Sequence, residues 1–134
     1  MASKYKGTVA ALFAHYYLGN IAYARGDYDE GISRYNEAIK KTGRKDDLLK
    51  FLLNMGIGSC YEAKGDNEAA AQSYGKAAET AGSSMKVIAL FDKARALELA
   101  LKKDEAIALY RQIMEENPES IQKDLIEIKI ASME

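Results

Sequence analysis

Three times along this chain a small residue is followed twelve positions later by another small residue, and four positions after that by a tyrosine. The sets are Gly19, Gly31 and Tyr35; Gly58, Ala70 and Tyr74; and Ala94, Ala106 and Tyr110. Ala38, Ala77 and Ile113 add a further small or aliphatic residue to each. A pattern recurring at such a period marks an array of one small unit, in which each copy buries its apolar face on the next. Such an array points to recognition and names no partner.

The whole chain allows this. Its 134 residues suit one domain spanning 1–134, large enough to bury a substantial core. One proline leaves room for uninterrupted helices, so an all-α fold is expected. The 19 basic and 20 acidic side chains are interspersed, with no basic patch or stripe of the kind a nucleic-acid surface shows. No nucleic-acid partner is expected. Nor is direct membrane insertion, since no stretch reaches the roughly 18 apolar residues of a spanning helix. The start, Met1-Ala2-Ser3-Lys4, lacks the apolar run of a signal peptide. The compartment stays open: cytoplasmic, or periplasmic if an upstream anchor has been trimmed.

The three units run over about 12–45, 51–84 and 87–120. In the first, a helix beginning a turn before Leu12, with Thr8 as N-cap, carries Leu12, Phe13, Leu18, Ile21 and Ala22 at helical spacing. Gly26 ends it and Asp27 caps the next helix, which runs through Ile32, Tyr35 and Ile39 to about Gly43. In the second unit Asp46 or Asp47 opens a helix with Phe51, Leu52, Met55, Ile57 and Tyr61, closed by Gly65. Asp66 or Asn67 opens its partner, which passes Ala70, Tyr74 and Ala77 and ends near Gly82. In the third, Ser83 or Ser84 caps a helix with Ile88, Leu90, Phe91, Ala94 and Leu97. Its partner runs from about Lys103 through Ile107 and Ile113 to Asn117, where Pro118 enforces a break. A last helix over about 119–133 carries Leu125, Ile126, Ile128 and Ile130. The small columns let two antiparallel helices approach closely, and the tyrosines fill the space between hairpins.

Taken together, Leu18-Gly19, Ile57-Gly58, Gly26-Asp27-Tyr28, Gly65-Asp66, the three small–Tyr–small sets and Asn117-Pro118 resemble the tetratricopeptide repeat family over roughly residues 8–120. The resemblance implies a right-handed α-solenoid of three helical hairpins with a C-terminal capping helix. Its function would be non-enzymatic: a protein-interaction scaffold that binds a peptide or protein segment in a concave groove, without a cofactor. The units here recur after 39 and then 36 residues, longer than the family's usual period of about 34. That unequal spacing is similar to bacterial envelope members of the family, which are tethered by an upstream segment. Leu101 stands where the other units have glycine, and Lys93 where they have an aliphatic residue, so the third hairpin is expected to turn or pack differently.

In this family the first helix of each pair lines the groove. The residues carried there are Tyr16, Tyr17, Asn20 and Tyr23; Met55, Ser59 and Glu62; and Phe91, Arg95 and Glu98. Tyr16, Tyr17 and Tyr23 fall outside the columns where the family has structural aromatics, and exposed tyrosines suit peptide recognition. Relatives that clamp a C-terminal carboxylate use basic and amide groups, of which only Asn20 is present. Tyr16, Gly56, Ile88 and Asp92 occupy the other places. With Met55, Phe91 and Arg95, the groove is expected to suit an apolar or aromatic segment carrying one acidic group. The alternative is a structural assembly module, self-associating or docking through the array ends. Phe13 and Tyr17 have no preceding hairpin to cover them, and Ile126, Ile128 and Ile130 are expected to be only partly covered.

Nothing in the chain converges on catalysis. His15 is the single histidine and sits between apolar neighbours, where a structural role outweighs a ligand or base. Cys60 reads as an inert core thiol and excludes an intramolecular disulfide. Asp46-Asp47 and Glu115-Glu116 read as solvated charges at helix ends, and no metal site is expected.

Overall fold

The computed structural model describes residues 9–42, 46–119 and 123–134. These form seven α-helices: α1 (Val9–Ala24), α2 (Tyr28–Lys41), α3 (Asp47–Lys64), α4 (Asn67–Thr80), α5 (Ser83–Leu99), α6 (Lys103–Glu116) and α7 (Lys123–Met133). The main contacts join helices adjacent in sequence, and α1 also touches α3. The chain is therefore a linear stack of three hairpins, α1–α2, α3–α4 and α5–α6, closed by α7. Thr8 and Gly43 lie outside the described residues.

Each hairpin turns in the same way. Gly26 and Gly65 take positive φ values of 82° and 86° at the ends of α1 and α3. In that conformation the next backbone N–H reaches back: Asp27 N donates to Ala22 O at 2.8 Å and Asp66 N to Tyr61 O at 2.9 Å. The third hairpin closes identically despite lacking glycine. Leu101 adopts φ 64°, and Lys102 N donates to Leu97 O at 2.9 Å. The altered residue has not altered the turn; strain is held in the backbone instead. Lys93 is accommodated too, its stem lying over Gly75 on α4, where a methyl group would meet it.

Two of the N-caps are closed by a side-chain carboxylate. Asp46 accepts from Leu49 N at 3.1 Å and Asp66 from Ala69 N at 3.2 Å, which settles both pairs of candidates. Asp27 occupies the N-cap position of α2 without a side-chain cap bond. Ser83 and Ser84 do not cap α5; Gly82 holds that position with its backbone alone. Helix α4 stops at Thr80, before Gly82, and Pro118 and Glu119 form a turn ahead of α7.

The tyrosine columns organise the core. Tyr35, Tyr74 and Tyr110 are almost wholly buried. A Cβ added at Gly19 would lie 2.5 Å from the Tyr35 ring, and one at Gly58 2.5 Å from the Tyr74 ring, so each glycine is the floor on which a ring lies. Tyr35 is covered on its far side by Gly56 of the next hairpin. The buried residues fall into two clusters, one around Tyr35, Leu49, Leu53 and Cys60, the other spanning the second and third hairpins and α7. Of the expected stripe of α1, Leu12 and Ala22 are buried, but Phe13, Leu18 and Ile21 are exposed. Ile88 and Leu125 are likewise exposed. Ile126 and Ile130 are buried, and Ile128 is exposed.

Candidate functional site

Helices α1, α3 and α5 share one open hollow of about 310 Å³, lined by Tyr23, Ser59, Glu62, Ala63, Asp92 and Arg95, with Tyr74 of α4 at its floor. The repeat geometry produces it: equivalent positions on successive first helices stack into columns, one running Asn20, Ser59, Arg95 and the next Tyr23, Glu62, Glu98.

Hydrogen bonds tie these columns to the buried tyrosines. Tyr35 Oη donates to Asn20 Oδ1 at 2.5 Å, Tyr74 Oη to Glu62 Oε1 at 2.9 Å, and Tyr110 Oη to Glu98 Oε2 at 3.0 Å. The carboxylates then take a cation from the following unit. Arg95 Nη2 donates to Glu62 Oε1 at 2.8 Å, and Nη1 also bonds Glu62 Oε2. Lys129 Nζ donates to Glu98 Oε2 at 3.3 Å, which places α7 as the successor of α5 in the stack. The first junction differs, because Tyr23 stands where the later units carry glutamate.

Charge in the hollow is therefore arranged around Arg95, with Glu62 on one side and Asp92 Oδ1 at 3.6 Å on the other. The guanidinium bond holds the Glu62 carboxyl below its ordinary range, and the two carboxylates push the arginine further up. Burial raises the Asp92 carboxyl despite its arginine neighbour, so this second carboxylate is incompletely compensated. Burial, countered by a bond from Ser59, moves the Tyr74 phenol up to about 12, so it donates at neutral pH.

Of the residues expected in the groove, Tyr23, Ser59, Glu62 and Arg95 line the hollow. Asn20 and Glu98 continue its columns but are engaged by Tyr35 and by Tyr110 with Lys129. Tyr16 is half-buried with its ring 6.2 Å from that of Tyr35. Tyr17 is 62% exposed at the outer end of the array, away from the hollow. Met55 and Phe91 pack against the core, Phe91 edge-on to Tyr110 at 5.7 Å. An apolar segment with one acidic group does not match this surface, because Arg95 is already held by two carboxylates and the apolar pair is turned inward. Asp92, which the sequence placed in the groove only as a replacement for a clamp residue, lines the hollow too, as do Ala63 and Tyr74; the spacing of three between Asp92 and Arg95 on one helix was the available signal of their pairing.

His15 is buried, and its ring nitrogens have no hydrogen-bond partner among the described residues. Burial moves the Cys60 thiol up to about 11. Among the described residues there is no group of three or more His, Cys, Asp or Glu able to hold a metal ion, and no helix long and apolar enough to cross a membrane.

No curated protein matches the chain. Among solved structures, the TPR domain of Arabidopsis OM64 superposes with a TM-score of 0.69 at 20% identity, covering 92% of this chain and 96% of that one. That likeness concerns the fold. Family models described as tetratricopeptide repeat match residues 16–86 and again residues 88–120. With its stacked hairpins, repeated glycine–tyrosine seats and these matches, the chain belongs to the tetratricopeptide repeat family.

Proposed function

We propose that this chain is a non-enzymatic scaffold that holds an extended segment of a protein partner in the hollow shared by α1, α3 and α5. Tetratricopeptide repeats are generally protein–protein interaction modules, which supports the class of function. The observation that carries the finer reading is the hollow's charge. Glu62 and Asp92 face one guanidinium, leaving one formal negative charge beside the 42% exposed ring of Tyr23. A lysine or arginine of the partner would satisfy Asp92 and lie against the aromatic face, an arrangement favoured by charge and by cation–π attraction.

A positional-scanning library of short peptides tests this directly. Lysine and arginine should be enriched at one position, and the selected peptide should lose about five- to tenfold in affinity against Asp92→Asn or Tyr23→Ala. Both variants should keep the helical circular dichroism signal. Selection of acidic residues, or unchanged affinity in both variants, would refute the reading.

A further inference from the structure

The outer side of α1 is the least expected surface of the molecule. None of its sixteen residues is an acid, lysine or arginine. A helix apolar on every side is built to be covered on every side, yet α1 is buried on one side only. Its counterpart positions show what is missing. Ala10, Ala14, Leu18 and Ile21 correspond in the repeat to Leu49, Leu53, Ile57 and Cys60 of α3. Those four are buried in the cluster that contains Tyr35 and Ala38 of the preceding hairpin. On α1 all four equivalents are exposed. The first helix thus has the composition of one whose outer side is covered as well.

The order of residues says what fits there. Ala10, Phe13, Tyr17, Ile21 and Ala24 form an exposed stripe with spacings of three, four, four and three. The spacing reads the same from either end, with a large apolar residue, Phe13 or Ile21, on each side of Tyr17. We infer that α1 pairs with α1 of a second copy of this chain, antiparallel about a two-fold axis near Tyr17. Phe13 of each copy then lies opposite Ile21 of the other, and the alanines at both ends allow the helices to approach. A neutral face can meet its own copy with no like charges opposed, as an isologous interface requires. With Phe13 41%, Tyr17 62%, Leu18 42% and Ile21 46% exposed, each copy offers on the order of 500 Å². That is less than the roughly 800 Å² per partner of a standard interface, which places the pairing among weak, transient ones.

Sedimentation equilibrium of the full chain from about 5 to about 500 µM tests this. Monomer and dimer should interconvert across the range. Tyr17→Glu, or Phe13→Glu as a second disruption, should weaken dimerisation at least tenfold with circular dichroism unchanged. Ile128→Glu, at the opposite end, should leave it intact. Tyr17→Cys supplies a crosslinking readout: with Cys60 buried, a short bis-maleimide should join two copies through position 17, whereas Ile128→Cys should not be joined. A monomer at every concentration overturns the inference. So does dimerisation indifferent to Tyr17→Glu, or abolished by Ile128→Glu, which would indicate head-to-tail stacking. Peptide capture by the hollow is scored separately, since Tyr17 does not line it.

Discussion

Replacing Leu101 by glycine should make this protein more stable, although it removes a large side chain and adds no contact. Leu101 sits at φ 64°, in the left-handed region that the equivalent Gly26 and Gly65 occupy without penalty. For a residue with a Cβ that conformation costs about 1–2 kcal/mol. The side chain is 90% exposed, so truncating it forfeits almost no burial. Against the gain stands the greater freedom of glycine in the unfolded chain, about 0.5–1 kcal/mol. The net is a stabilisation of about 0.5–1 kcal/mol, or about 2–4 °C in thermal midpoint for a domain of this size. Thermal and urea melts followed by circular dichroism measure it, and the urea m-value should not change. The reciprocal substitution is the control. Nothing lies within 4 Å of a Cβ at Gly65, so Gly65→Leu should cost about 1 kcal/mol through the backbone alone. A Leu101→Gly variant that melts at or below the wild-type temperature would refute the assignment of strain.

Three further predictions follow from the core. Tyr74→Ala should cost about 3–5 kcal/mol in a urea melt, because a fully packed ring is lost, whereas Tyr74→Phe should cost about 1 kcal/mol, since the ring stays and the hydroxyl's bonds to Glu62 and Ser59 go. Gly58→Ala should cost about 1 kcal/mol: an overpacking penalty of about 1–3 kcal/mol against the Tyr74 ring, offset by better helix propensity. Gly58→Leu should fail to yield a cooperative melt. For His15, burial, with Lys41 and Arg34 adding to it, lowers the folded-state pKa below the ordinary value of 6.5. The neutral ring is favoured on folding, so stability is full above about pH 6.5 and declines as pH falls toward the folded pKa. Thermal midpoints between pH 7 and 5.5 should drop, and His15→Leu should flatten that slope.

The parts of the fold that could be read from the sequence were those where chemistry is local. Glycine at the hairpin turns and aspartate before α3 and α4 act within a few residues, the small–tyrosine columns within one hairpin, and each lies where the pattern put it. Faces were harder. Helices α2 and α6 carry charges on one side, so their buried tyrosines and alanines could be identified. Helix α1 has no charged side to mark solvent, and its expected stripe therefore mixed buried Leu12 with exposed Leu18 and Ile21. Ser83 and Ser84 looked like caps by residue type, but the backbone began the helix one residue sooner, at Gly82. In the hollow, column positions of Ser59, Glu62 and Arg95 were legible from the repeat. Their pairing was not, because whether Arg95 reaches across to Glu62 depends on the distance between α3 and α5, which no single helix encodes.

The two buried clusters meet at α3, and the junctions on either side of it are built differently. Arg95 fastens the third hairpin to the second through Glu62, and Lys129 fastens α7 to the third through Glu98. Between α1 and α3 the equivalent positions are Tyr23 and Ser59, with no ion pair between them among the described residues; the first hairpin is tied to the second by Asp29 of α2 and Lys64 of α3 instead, an exposed pair that adds little. In a one-dimensional stack, cooperativity is only as strong as its nearest-neighbour links, so the first hairpin is the section that can come loose while the remainder stays folded. A segment lying across the hollow would touch both sides of that weak seam. Its arrival would be felt as slower amide exchange throughout α1 and in α2, beyond the residues it contacts.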